Sequence, residues 1–221
     1  MRSVLTALRR QFARFWELWV LMLGHGFASL FLSNLAAGLE DIQEPSVRSL
    51  ALIGHRLFTL GYHLPLRVGV LVLLLAVALL LSRGRSIRLA ADVLGLALTL
   101  RCMVEFLLLN LLLLAPLESG SLLLLQLIVY LPLITLNFGW IYWRLDSGAR
   151  RQGRSHIRFD DGTALSFDYF HIAANALLQF DPSGAKPLTR SMKALFVLHG
   201  LVMMDLVALT LSRAIGLASA R

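Results

Sequence analysis

The chain has 221 residues, of which 57% are hydrophobic and only 15% charged, against about 25% charged in an ordinary soluble domain. That balance excludes an ordinary water-soluble domain and points to an integral membrane protein whose length is mostly spent on membrane spans. The formal net charge of +8 is almost entirely arginine clustered beside apolar runs, the pattern of topology signals and anionic lipid headgroups. Nucleic acid is excluded as a partner, because no soluble basic face with interleaved aromatics is present.

Residues 1–15, MRSVLTALRRQFARF, form a basic amphipathic lead-in. They do not end in a small-residue cleavage site, so a retained first span is expected. A span needs roughly 20 apolar residues, and the first runs from Trp16 to Ala37, with Trp16 and Trp19 placed for an interfacial belt. The stretch 40–65 opens with Glu40, Asp41 and Glu44 and continues as an amphipathic run broken by Arg48, His55, Arg56 and His63. It reads as an interfacial helix. Leu66 to Leu81 is the second span, followed by the basic hinge SRGRSIR. The third runs from Ile87 to Leu114 and the fourth from Leu122 to Leu145, with Pro132 as a kink site and Trp140, Tyr142 and Trp143 at its exit. A basic loop with Arg144, Arg150, Arg151, Arg154 and Arg158 comes next. The helix 165–178 is too short to cross and reads as re-entrant, and Ser191 to Arg213 is the last span. The expected fold is therefore all-α, with about five transmembrane helices, one short re-entrant helix and an interfacial helix. It divides into the lead-in 1–15, an N-terminal set 16–121 and a C-terminal region 122–221.

Arginine counts place the N-terminus, the 83–88 hinge and the 144–158 loop inside, provided that 48–64 does not cross. The re-entrant segment then enters from the cytoplasmic side of a bacterial inner membrane.

Intramembrane charge is costly, at roughly 2.5–3.5 kcal/mol per group at a helix centre, so Arg101, Glu105 and Asp205 stand out. Arg101 and Glu105 are spaced to pair on one helix face. With Asp205 they read equally as a polar conduit or as a clamp between helices. His199 reads as a satisfied core histidine. Asn110, Gln126 and Asn137 read as helix-packing glue. Cys102 is the single cysteine, so no intramolecular disulfide forms. His25, flanked by glycines, lacks companions for a metal site. No nucleophile–base signature, metal-ligand set or phosphate-cradling glycine loop is present, so neither an enzyme nor a cofactor site is expected.

Two stretches carry a resemblance: YWRLD at 142–146 and DYFHIAANALLQFDPSGAKPLTRSMK at 168–193. In this order, before a last span, they resemble a family of bacterial integral membrane proteins of unassigned activity. The layout from Leu122 onward is also similar to the pore module of potassium channels: apolar helix, short pore helix, filter, apolar helix. Asp168-Tyr169-Phe170 resembles the start of a pore helix, and Pro187-Leu188-Thr189-Arg190 the stretch after a filter. A filter of TxGYG type would fall at 177–181, yet no glycine occurs from Thr163 to Ser183. Carbonyls aimed at a dehydrated ion lean on glycine's conformational freedom, so potassium selectivity is not expected.

The resemblance implies a channel-like homo-oligomer with a degenerate pore loop, and Asn175, Gln179, Phe180 and Asp181 at the constriction, passing ions without selectivity. The rival expectations are a non-conducting structural or regulatory subunit and a small transporter working through Arg101, Glu105 and Asp205. Channel pore loops enter from outside, opposite to the side the arginines indicate.

Overall fold

A computed structural model describes residues 16–31, 39–40, 42–59, 85–111, 120–160, 164–179 and 185–219. The lead-in 1–15, the second predicted span 66–81, and Phe180 and Asp181 lie outside the described residues. The chain forms two compact units, 1–116 and 117–221. It is mostly helical: six helices are described, two of them long and apolar enough to cross a membrane.

In the first unit, α1 (Trp16–Phe31) and α2 (Pro45–Thr59) both pack on α3 (Arg85–Leu111). Pro45 opens α2, where its missing N–H is an orphan of the first turn anyway. Leu89, Val93, Leu96, Leu100 and Leu107 form an exposed stripe on α3, while Ala91, Thr99, Cys102, Glu105, Phe106 and Leu109 are buried on the opposite side. This is the 3.6-residue period of a helix with one packed face.

In the second unit, α4 (Gly120–Arg150), α5 (Ser166–Gln179) and α6 (Arg190–Ser219) pack together, with α4 touching both of the others. The candidate spans are Leu124–Arg150 in α4 and Arg190–Gly216 in α6. On α6, Val197, Leu198, Leu201, Met204, Leu211 and Ile215 are exposed, whereas Met192, Phe196, His199, Met203 and Leu206 are buried.

The predicted arginine loop is corrected at its start. The helix continues through Pro132 and past Leu145 to Arg150, so Arg144 and Arg150 are helical. It stops there because Arg154 N–H donates to Ala149 O (3.1 Å) and Gly153 N–H to Arg150 O (3.0 Å), with Gly153 at φ 71°. That pair of bonds around a left-handed glycine is a Schellman stop. Gly153→Ala forces a side chain into the left-handed region and costs about 1 kcal/mol, read as a lowered unfolding midpoint. No change in midpoint would mean that the turn relaxes elsewhere.

The rest of that loop holds an element the sequence did not announce. Strand β1 (Ile157–Phe159) pairs antiparallel with β2 (Ala185–Pro187), Ile157 opposite Pro187, Arg158 opposite Lys186 and Phe159 opposite Ala185. Leu188 N–H donates to His156 O (2.8 Å). Hydrogen-bonded pairs alternate in such a ladder, so Pro187 falls at a position where no N–H is required. The aromatic exit belt is also corrected: Trp140 and Tyr142 are buried, Tyr142 completely.

Candidate functional site

The polar centre of the second unit is Asp146, the last residue of YWRLD. It is fully buried one turn before the end of α4. Its Oδ1 accepts the backbone N–H groups of His156 (2.5 Å) and Ile157 (2.9 Å). Its Oδ2 accepts the Tyr169 hydroxyl (2.6 Å) and Arg150 Nε (2.6 Å). Arg150 sits at i+4 on the same helix and donates through Nη2 to Ile157 O (2.9 Å). Ser155 Oγ donates to that same carbonyl (2.6 Å). One carboxylate thus fixes the end of α4, the entry to β1 and the start of α5. Around it Tyr169 meets Phe159 edge-on at 5.0 Å, and the Arg150 guanidinium lies 6.0 Å from the Phe159 ring. Burial, then the bond to Asp146, pushes the Tyr169 phenol well above its ordinary range, so it remains an O–H donor at any physiological pH.

The DYF motif divides its labour. Asp168 Oδ2 accepts the Leu165 N–H (2.7 Å), the N3 half of a capping box that starts α5. Tyr169 ties α5 to Asp146, and Phe170 lies against Gly139 of α4. A Cβ on Gly139 would stand 2.6 Å from Phe170 Cδ1 and 3.0 Å from its Cα. Beyond Phe170 the buried side chains of α5 are Ile172, Ala173 and Ala176, small enough for close packing. In the PLTR stretch, Thr189 caps α6 by accepting the Met192 N–H (3.4 Å).

A second polar pair joins α4 to α6: Tyr142 Oη and His199 Nδ1 are 3.0 Å apart. Phe138 stacks on the imidazole at 3.9 Å, and Phe196 lies 4.9 Å from the Tyr142 ring. His199 is completely buried, but the satisfied core histidine expected from the sequence is only half met: its Nε2 has no partner among the described residues.

Arg101 and Glu105 form an ion pair, Nε to Oε1 2.8 Å, with Glu105 buried. They belong to the first unit, and Asp205, half-buried on α6, to the second. Asn110 and Asn137 each donate to the carbonyl one turn back on their own helix, Phe106 O (3.1 Å) and Leu133 O (2.8 Å). Asn175 is half-buried, its Nδ2 3.3 Å from His171 Nε2, and Gln179 ends α5. Among the described residues no cluster of three His, Cys, Asp or Glu side chains could hold a metal.

Gly139 and Asp146 were missed by sequence reasoning as the residues that fasten α5 and β1 to α4. Their signals were a glycine inside an apolar helix, and the one carboxylate amid five arginines at its end. Comparison of the chain with family models, curated proteins and solved structures gives no match.

Proposed function

We propose that the second unit is a pore-type membrane module in a channel-like protein of the inner membrane. In it α4 and α6 span the bilayer, and α5 is a re-entrant helix held between them. The observation that carries this reading is the tethering of α5. It is too short to span, it leaves from β1 and returns to β2, and those strands are paired to each other. Asp146 and Gly139 then fasten its first turn to α4. Irregular backbone at membrane depth needs this kind of burial in protein. Copies of the chain close the pore by symmetry, with the face of α5 that carries Asn175 toward the axis. Without filter glycines the path conducts hydrated or partly hydrated ions and does not select potassium.

Purified protein reconstituted in vesicles therefore passes potassium and sodium at comparable rates, and Asp181→Asn alters the flux. Absence of potassium, sodium and chloride flux from folded protein rejects the conducting reading. A non-conducting membrane subunit would then stand. It is favoured by one observation, that the polar anchors of α5 are spent on internal bonds, Tyr169 on Asp146 and Asn175 beside His171. Its mark is a stoichiometric partner retained through purification.

A further inference from the structure

The outer face of the β1–β2 ribbon repels itself. Arg158 and Lys186 stand directly opposite each other across the strands, and both are exposed while Ile157 and Phe159 on either side of Arg158 are buried. Like charges directly opposed on an antiparallel pair are destabilising. Arg190 and Lys193 follow in the first turn of α6, both exposed. That is the end of a helix that disfavours cations and attracts anions. Two electrostatic conflicts therefore meet at the stretch 186–193, to which the strand pairing brings Arg158. Among the described residues no carboxylate pairs with Arg158, Lys186, Arg190 or Lys193. Across the described residues 151–160, 164–168 and 185–193 there are six arginines and lysines and two acidic side chains, Asp160 and Asp168. An anion bound at this face turns both conflicts into favourable contacts.

The surroundings indicate what carries the anion. Leu188 directly follows β2, and Leu165 and Phe167 open α5; all three are exposed large apolar side chains. The C-terminal end of candidate span α4 and the N-terminal end of candidate span α6 both lie at this ribbon. A soluble anion would leave the apolar side chains in water, whereas a phospholipid satisfies both sets. We propose that this ribbon face is a binding site for an anionic phospholipid. Arg158, Lys186, Arg190 and Lys193 receive its phosphate, and Leu165, Phe167 and Leu188 lie against its acyl chains. The inference rests on α4 and α6 being spans, as in the proposed function, and is independent of conduction.

The test is thermal unfolding of the full chain in a neutral detergent with added phosphatidylglycerol, phosphatidylcholine or inorganic phosphate. A ligand at about a hundredfold its Kd raises the midpoint of a protein of this size by about 5–10 °C. Phosphatidylglycerol gives such a shift, and the other two do not. In R158Q/K186Q the midpoint without lipid equals or exceeds that of the wild type, because the cross-strand repulsion is gone, and the lipid shift falls below half. R48Q, which removes an exposed arginine of the first unit, keeps the full shift. K186Q alone gives the same reading if the double variant does not fold. Equal shifts with both lipids, a shift with phosphate alone, or an undiminished shift in R158Q/K186Q each overturns the proposal. A lipid shift without ion flux removes only the channel reading, and flux without a lipid shift removes only this site.

Discussion

Asp146→Ala lowers the stability of the second unit by about 3–5 kcal/mol, the range for removing one partner of a buried ion pair. Arg150 keeps about a third of its side chain in contact with solvent, so it can turn to water and carries the smaller share. The larger share falls on the His156 and Ile157 N–H groups and the Tyr169 hydroxyl. Each loses its acceptor, at about 1–3 kcal/mol for a buried donor left unsatisfied. Asp146→Asn keeps an oxygen for the His156 and Ile157 N–H groups and an N–H₂ to which the Tyr169 hydroxyl can turn as acceptor, but it opposes Arg150 Nε donor to donor, so it rescues only in part. Tyr169→Phe removes one donor and strands nothing, and its cost of about 1.5–3 kcal/mol is that of one bond to a charged acceptor. Combined with Asp146→Ala it adds little, because the bond is already gone. Unfolding midpoints of the wild type and the four variants test this. An Asp146→Ala protein within 1 kcal/mol of the wild type would remove Asp146 as the organising residue.

Gly139→Ala destabilises the same unit by about 1–3 kcal/mol, the usual cost of forcing extra volume into a packed contact. This runs against the helix propensity gain of about 1 kcal/mol that the same change brings at an open helix position. The sign of the result is therefore informative. The new methyl would meet both the ring and the Cα of Phe170, at 2.6 and 3.0 Å. The ring can be removed and the backbone cannot. In Phe170→Ala the Gly139→Ala penalty shrinks but does not vanish. Gly139→Leu displaces α5 from α4 altogether, and in vesicles it abolishes whatever flux the wild type supports. A stabilised Gly139→Ala protein would show that α5 does not lie this close to α4.

Much of the architecture was legible because long apolar runs and their breakers leave few choices. The helix at Ser166–Gln179, one residue from the expected 165–178, follows from an apolar run that Asp168 can cap at one end. The i,i+4 spacing of Arg101 and Glu105 was enough to pair them, since both partners ride on one helix. The basic stretch after Leu145 reads as a loop from sequence because charge density masks a helix end. The stop depends on Gly153 closing two backbone bonds, which composition does not reveal. The β ribbon was missed because three-residue strands show too little alternation to stand out, and because the paired residues lie 26 to 30 positions apart, from Phe159–Ala185 to Ile157–Pro187.

The two motifs show where sequence reading ends. YWRLD and DYF could be recognised as a pair in order, but their order does not say that Asp146 receives the Tyr169 hydroxyl or that Tyr142 meets His199. By itself the sequence determined a hydrophobic, arginine-punctuated, mostly helical chain, with its charged and short-helix segments at identifiable places. These are properties of local composition and period. Only the tertiary structure decided which buried polar group meets which. A carboxylate taken out of water must find its donors wherever the packed helices bring them, and those donors lie up to 23 residues away in the chain, at Tyr169.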